Sequence, residues 1–352
     1  MPNPSHRAPE TGARRLSRAG AALLAVVLVV PVVAGVVIAR RFDGDAGAAT
    51  AAAQSLPRVQ ELVDARQLVP VRRVVAATEV EKIDLEALRA EREAAKAEKA
   101  EKAATSNEPF EVRVGSFNVL GSQHTAPGGD RQRYPPASTR NVGAVNLIGK
   151  HGVDILGTQE LQADQLAALT SRTGMAAYPG NAWGSTETDN SILWDPGVFE
   201  MVSGSQFTIT FMGHPHPQPI LRLRHLATGR EFYVVNTHPS AGGGRYAAER
   251  SAGQNALVSV VNNLKAEGVP VLVTGDMNDR EAFYCSVPPR TGLVASNGGS
   301  YSGGCRPPAS PLPVDWVLGY DVGWSGYWRD TTPVTQRTSD HYFISALASF
   351  GG

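Results

Sequence analysis

Val271-Leu272-Val273-Thr274-Gly275-Asp276-Met277-Asn278-Asp279 starts as an apolar run and ends in a carboxylate and an amide two residues apart. A short apolar run of this kind reads as a buried strand. The same signature recurs along the chain. Val114-Gly115-Ser116-Phe117-Asn118 ends in an amide, Asp154 to Glu160 in Gln159-Glu160, and Val234-Val235-Asn236-Thr237-His238 in an imidazole. Pro313-Val314-Asp315-Trp316-Val317-Leu318 carries an acid inside an apolar run, and Ser339-Asp340-His341 stands just before Tyr342-Phe343-Ile344. A lone Asn or Asp at such a place is commonly a turn or cap residue. Six in succession point instead to strand ends that share one rim, where Asn, Glu, Asp and His can hold a hard cation and work on a phosphate.

Around these motifs the chain from Glu111 onward alternates strand-like and helical stretches, as a compact domain over 109–350 would. Strands are expected at Val112 to Asn118, Val153 to Gln159, Ser191 to Trp194, Phe207 to Phe211, Phe232 to Thr237, Val269 to Thr274 and Val314 to Leu318. Helices are expected at Ser138 to Lys150, Ala163 to Ser171 and Tyr246 to Ala266. Neighbouring strands alternate with strand-helix-strand units, which suits a layered sheet sandwich with outer helices better than a doubly wound sheet. No Gly-rich phosphate loop follows the first strand.

Taken in order, Phe117-Asn118-Val119-Leu120, Gln159-Glu160, Asn236-Thr237-His238, Gly275-Asp276-Met277-Asn278, Asp315-Trp316 and Ser339-Asp340-His341 resemble the endonuclease/exonuclease/phosphatase superfamily with the DNase I-like fold. Gln-Glu alone is a weak signal; the ordered set, with Gly-Asp-x-Asn followed by Ser-Asp-His, is specific, and it covers roughly 111–347. The resemblance implies an α+β four-layer sandwich of two packed mixed sheets flanked by helices, and phosphoester hydrolysis with Mg²⁺ or Mn²⁺. It further implies Glu160 as principal metal ligand, with Asn118 and Asp340 completing or supporting the site. Asp276 would position or deprotonate the attacking water, Asn278 would donate to the transition state, and His238 would hydrogen-bond a phosphate oxygen. His341, held by Asp315, would serve as acid or base.

Arg131, Arg133 and Tyr134 stand in a polar loop after Asn118, in reach of a substrate phosphate or base, or simply in a solvated loop. His214 and His216 lie in Gly213-His214-Pro215-His216-Pro217, which reads as a proline-rich turn with incidental surface histidines. His6, His124, His151 and His225 have no motif context. Gly242-Gly243-Gly244 reads as a mobile rim or a connection to the helix near Tyr246.

The first hundred residues are of another kind. Ala19 to Ala39 is uncharged and apolar, long enough at about 1.5 Å per residue to cross a bilayer. Arg40 and Arg41 follow directly, which favours a retained signal anchor over a cleaved signal peptide. Arg7, Arg14, Arg15 and Arg18 place the 1–18 tail in the cytoplasm and everything after the span outside. Residues 40–108 read as linker and solvated helical stalk, with charge pairs such as Glu98 to Lys102. Outside the membrane, Cys285 and Cys305, the only cysteines, are expected as a disulfide, free thiols being the alternative. Without nearby histidines they make no zinc site.

Over the whole chain 33 basic and 33 acidic side chains cancel, which excludes the strongly basic profile of a general nucleic-acid coat. After residue 108 the only lysines are Lys150 and Lys265. The expectation is a membrane-tethered, extracytoplasmic, metal-dependent phosphodiesterase, acting on DNA or RNA. A sphingomyelinase-like phospholipase C or a small-metabolite phosphatase is the runner-up. Tyr320 to Trp328, with Trp324, Tyr327 and Trp328, is the stretch a lipid substrate would need exposed, core packing being the default for tryptophan. A non-catalytic binding module on a stalk is the third reading, a secreted protein the alternative localisation, and no protein partner is evident.

Overall fold

The structure is a computed structural model and describes residues 108–351. The expected 1–18 tail, the 19–39 span and, up to residue 107, the linker and stalk lie outside the described residues. The strands are β1 (Phe110–Asn118), β2 (Ile155–Gln159), β3 (Ala176–Tyr178), β4 (Ile192–Trp194), β5 (Phe199–Phe211) and β6 (His214–His225). They continue with β7 (Glu231–Thr237), β8 (Val271–Asp276), β9 (Val294–Ala295), β10 (Asp315–Tyr320), β11 (Gly323–Asp330) and β12 (Phe343–Phe350).

One sheet runs β11-β12-β1-β2-β4-β3 and the other β5-β6-β7-β8-β10-β9. Each has one parallel pair at its centre, β1 with β2 and β7 with β8, and antiparallel pairs elsewhere. A parallel pair needs a long crossover. Helices Ala137–His151 and Ala247–Lys265 supply it, one on each sheet. Side chains alternate faces along a strand, so Phe110, Val112 and Val114 pack between the sheets with Phe232, Val234, Leu272, Val317 and Ile344. On the outer faces Val235, Val271 and Val273 meet Leu257, Val258 and Val261, while Phe117 and Leu156 meet Leu147 and Ile148. The result is the expected four layers.

Toward the ends of the parallel strands the layer between the sheets turns from apolar to polar. Asn236 Nδ2 donates to the carbonyls of Thr158 (2.7 Å) and Asn190 (2.8 Å), while its Oδ1 accepts from Gln159 Nε2 (2.8 Å) and Thr274 Oγ1 (3.0 Å). Such bonds satisfy groups that would be costly to bury unpaired. Gly157 makes the approach possible, because a Cβ there would lie 2.0 Å from Thr274 Oγ1.

One sequence expectation is corrected. His214 to Pro217 is strand, not turn: Pro215, Pro217 and Pro219 pair with Thr210, Thr208 and Gln206 of β5, whereas β7 reaches β6 only from Ile220 onward. Prolines at alternate positions turn their missing N–H groups toward that free edge, where no ladder needs them. Tyr320 to Trp328, the stretch a lipid substrate would need exposed, lies mostly in strand and leaves Trp328 exposed. Gly323–Asp330 is edge strand β11, and Trp324, part-buried against the core, donates to the Val294 carbonyl at 3.0 Å. The expected disulfide joins Cys285 to Cys305, and the three-glycine stretch leads through a single 3₁₀ turn, Gly243–Tyr246, into the long helix.

Candidate active site

The topology alone gathers the polar motifs. Register sets Asn118 beside Gln159 and Thr237 beside Gly275, so all four parallel strands end at one rim. Antiparallel partners deliver the rest there: Asp315 pairs with Asp276, and the Ser339–His341 turn precedes the β12 residues that pair with the end of β1. Gly275 is required for a local reason. A Cβ on it would meet the Thr237 carbonyl oxygen at 2.1 Å.

Asn118, fully buried, donates through Nδ2 to Glu160 Oε1 (2.9 Å) and to Asp276 Oδ2 (3.2 Å), and its Oδ1 accepts from Leu120 N (3.0 Å). It thus fastens two carboxylates from different sheets. Glu160 and Asn278 both adopt left-handed backbone, with φ of 60° and 46°, a conformation that costs about 1–2 kcal/mol for a non-glycine residue. Each turns the chain sharply away from the strand behind it. Asn278 N donates to Asp276 Oδ1 (2.9 Å), and its side-chain Nδ2 donates to the Pro239 carbonyl (3.0 Å).

Asp276 Oδ2 lies 3.5 Å from both His238 Nε2 and His341 Nε2. His341 Nδ1 lies 2.9 Å from Asp315 Oδ1; a carboxylate only accepts, so Nδ1 carries the proton and Nε2 faces Asp276. Ser339 Oγ donates to the Asn118 carbonyl (2.6 Å) and accepts from His341 N (3.1 Å), which locks the turn onto β1. His238 is buried, its backbone N donates to Gln218 Oε1 (2.7 Å), and its Nε2 has no hydrogen-bond partner.

Burial alone would raise Asp276, yet His341 and His238 hold it below the usual carboxylate range. Burial, with Asp276 adding to it, pushes Asp315 up against the pull of His341. The two imidazoles move up despite burial, His238 through Asp276 and Glu160, His341 through Asp315 and Asp276. Paired carboxylates whose environments push them apart take different roles. Glu160 likewise stays well below its ordinary value against burial, through His124, His238 and Asn118.

A hard divalent cation fits this donor set. Glu160 and Asp340 keep 23% and 28% of their side chains accessible, whereas Asp276 and Asp315 keep 1% and 3%, so the first two can meet an ion that retains waters. Asn118 supports Glu160 by donating to it. Oxygens of Asp276 and Asp315 and a nitrogen of His341 also lie within 4.8 Å of one another.

Of the residues expected at the substrate, Arg131 reaches the site, its Nε donating to Asp340 Oδ2 at 3.3 Å. Arg133 is exposed and lies over the Tyr134 ring, 5.7 Å from its centroid. His214 is exposed, but His216 is not incidental. It is mostly buried, with Nε2 3.0 Å from Asp189 Oδ2 and close to Asn190 and Gln218 beneath His238. His124 was invisible in the sequence as a site residue. Its Nε2 lies 3.3 Å from Glu160 Oε2 and its Nδ1 2.7 Å from Asp130 Oδ1, and hydrogen bonding to Glu160 raises it to about 9. Only the fold joins residues so separated, and no short motif marks them.

The sequence model described as Endonuclease/Exonuclease/phosphatase family matches residues 115–341. A comparison with curated proteins found no match. Among solved structures, an endonuclease/exonuclease/phosphatase family protein from Bacteroides thetaiotaomicron is 17% identical with a TM-score of 0.54, covering 69% of this chain and 99% of its own. The human Nocturnin catalytic domain with bound sulfate is 20% identical with a TM-score of 0.54, covering 69% and 97%. A mannosyl-6-phosphatase of Bacteroides thetaiotaomicron is 17% identical with a TM-score of 0.51, covering 67% and 98%. At these identities the likeness is one of fold.

Proposed function

The chain belongs to the endonuclease/exonuclease/phosphatase family, and on that premise we propose that it is a membrane-tethered, extracytoplasmic, metal-dependent phosphodiesterase that cleaves nucleic acid. The observation that carries the chemistry is His238 Nε2, buried without a partner beside Asp276. An orphaned buried nitrogen is costly, and a phosphate oxygen of the substrate would satisfy it.

In this reading Glu160 and Asp340 hold Mg²⁺ or Mn²⁺, which when bound neutralises phosphate charge and polarises the phosphoryl oxygen. Asp276, kept ionised, orients the attacking water and accepts its proton at Oδ2. His238 donates from Nε2 to a nonbridging oxygen. His341, its Nδ1 held by Asp315, supports the developing charge or delivers a proton from Nε2. Asn278 stands next to Asp276 as the donor for the transition state.

The Arg133–Tyr134 pair beside Arg131, its arginine exposed and its ring half-buried, favours nucleic acid, since cation and aromatic ring together suit a stacked base on a phosphate backbone. A second reading, a phosphatase of small phosphorylated metabolites, is favoured by the scarcity of lysine after residue 108. The purified full-length protein, assayed with Mg²⁺, Mn²⁺ or EDTA against plasmid DNA, RNA, sphingomyelin and mannose 6-phosphate, tests the choice. Metal-dependent cleavage of DNA or RNA is expected. Turnover of the monoester alone would establish the phosphatase, and binding without hydrolysis would leave a stalked binding module.

A further inference from the structure

We propose that Arg140 is a positioning residue of the hydrolytic site: its buried guanidinium ties the turn that orients Asn118 and Glu160 to the segment that delivers Asp340 and His341. The proposal rests on the reading of Glu160 as a cation ligand and adds what holds that ligand in place.

Arg140 stands in the first turn of the helix Ala137–His151 and is 2% exposed. Its hydrogen bonds all go to neutral oxygens. Nε donates to the Pro135 carbonyl (3.0 Å), Nη1 to the carbonyls of Val119 (2.8 Å), Leu120 (2.6 Å) and Thr338 (3.3 Å), and Nη2 to the Gly121 carbonyl (3.4 Å) and Thr125 Oγ1 (3.3 Å). Among the described residues no carboxylate is in ion-pair contact with it, and the negative charges that bear on it are those of Asp340, Glu160 and Asp164. A buried charge without an adjacent counter-charge is costly, and a positive one near a cation site also repels the ion. Against that cost the guanidinium supplies a rigid planar fork with donors in several directions, which no other side chain has.

Three of the carbonyls it holds belong to the turn that follows β1. Leu120 adopts left-handed backbone there, with φ of 57°, a conformation unfavourable for a residue with a side chain. The turn aims two amides into the site: Leu120 N donates to Asn118 Oδ1 (3.0 Å) and Gly121 N to Glu160 Oε2 (3.2 Å). Asn118 Nδ2 donates in turn to Glu160 Oε1 (2.9 Å), so both oxygens of Glu160 are oriented from this one turn. The fourth carbonyl, of Thr338, directly precedes Ser339, whose Oγ donates to the Asn118 carbonyl, and then Asp340 and His341. One side chain from an outer helix thus fixes the two halves of the site relative to each other.

The test uses full-length protein and two substitutions: Arg140→Gln removes the charge and the fork, and Arg140→Lys keeps the charge and loses the fork. Calorimetry below each variant's Tm should show Mn²⁺ affinity falling about tenfold or more in both, and kcat for bis(p-nitrophenyl) phosphate should fall by a similar factor with KM less affected. Removing a repelling charge alone would tighten Mn²⁺. Higher affinity in Arg140→Gln, or wild-type affinity in Arg140→Lys, therefore overturns the proposal. A lower Tm with wild-type affinity and kcat in both variants overturns it too, since that is what a residue serving only the fold would give. Hydrogen exchange of the wild type decides even if both variants misfold: residues 119–121 and 338–341, joined by one side chain, should open as one unit with equal protection, and unequal opening sinks the idea. Mn²⁺ affinity that falls in Glu160→Gln but in neither Arg140 variant would remove this proposal and leave the cation reading standing, whereas affinity indifferent to Glu160→Gln would remove both.

Discussion

His341 Nδ1 lies 2.9 Å from Asp315 Oδ1, and the two side chains come from different sheets, Asp315 from the first residue of β10 and His341 from the turn before β12. The imidazole is thus oriented only when the two sheets are packed. His341→Ala and Asp315→Asn should each lower phosphodiester hydrolysis by about 10² or more, and the double variant should be little worse than either single one. Multiplicative losses in steady-state rates would show that the two groups do not act as a unit.

Asp276 and His238 should behave as groups that act in the transition state. Asp276→Asn and His238→Ala are expected to reduce kcat by about 10² or more with smaller changes in substrate affinity. An increase in KM with kcat unchanged would assign His238 to ground-state binding instead.

The two histidines of β6 should separate. His214→Ala leaves rate and stability near wild type because the side chain is exposed. His216→Ala removes a ring bonded to Asp189 and should lower stability by about 1 kcal/mol in denaturant unfolding. Equal stability for the two variants would return His216 to the surface group.

Asp330 offers a pH test away from the site. Its Oδ2 accepts from Lys150 Nζ (2.7 Å) and faces His151 Nε2 (2.9 Å), and its Oδ1 accepts from Thr332 N (2.9 Å). Against burial, these contacts hold the carboxyl well below its ordinary value of 3.8. The folded state therefore binds the proton more weakly than the unfolded state, so this stabilisation is complete above the unfolded value and is lost as pH falls toward the folded one. Asp330→Asn should cost about 1–3 kcal/mol at pH 7, and the gap in Tm from wild type should narrow below about pH 4. A gap that stays constant down to pH 2 would contradict the ion-pair account.

The Cys285–Cys305 bridge closes a loop with a sequence separation of 20, which constrains the unfolded chain by about 3 kcal/mol. Cys285→Ser with Cys305→Ser should lower unfolding free energy by about that amount while leaving metal affinity unchanged. No loss of stability would place the bridge outside the folded core's energetics.

Much of this was legible in sequence because strand ends announce themselves locally. An apolar run stopped by Asn118, Glu160, His238 or Asp276 identifies both the strand and the polar group that leaves it, and the helices Ala137–His151 and Ala247–Lys265 lie within a few residues of expectation. One local signal misled. Alternating prolines in β6 read as a turn because the partner that tolerates them, β5 on one side with a free edge on the other, is a tertiary fact. The aromatics of β11 divide, Trp324 and Tyr327 packing against the core and Trp328 staying exposed, which depends on where the sheet edge falls. His124 against Glu160 and Gln218 beneath His238 depend on which strands lie side by side within a sheet, and Asn118 between two carboxylates on the two sheets stacking face to face. Local spacing fixes which residues leave a strand end, whereas the approach of one strand end to another depends on register, twist and the missing Cβ of Gly157.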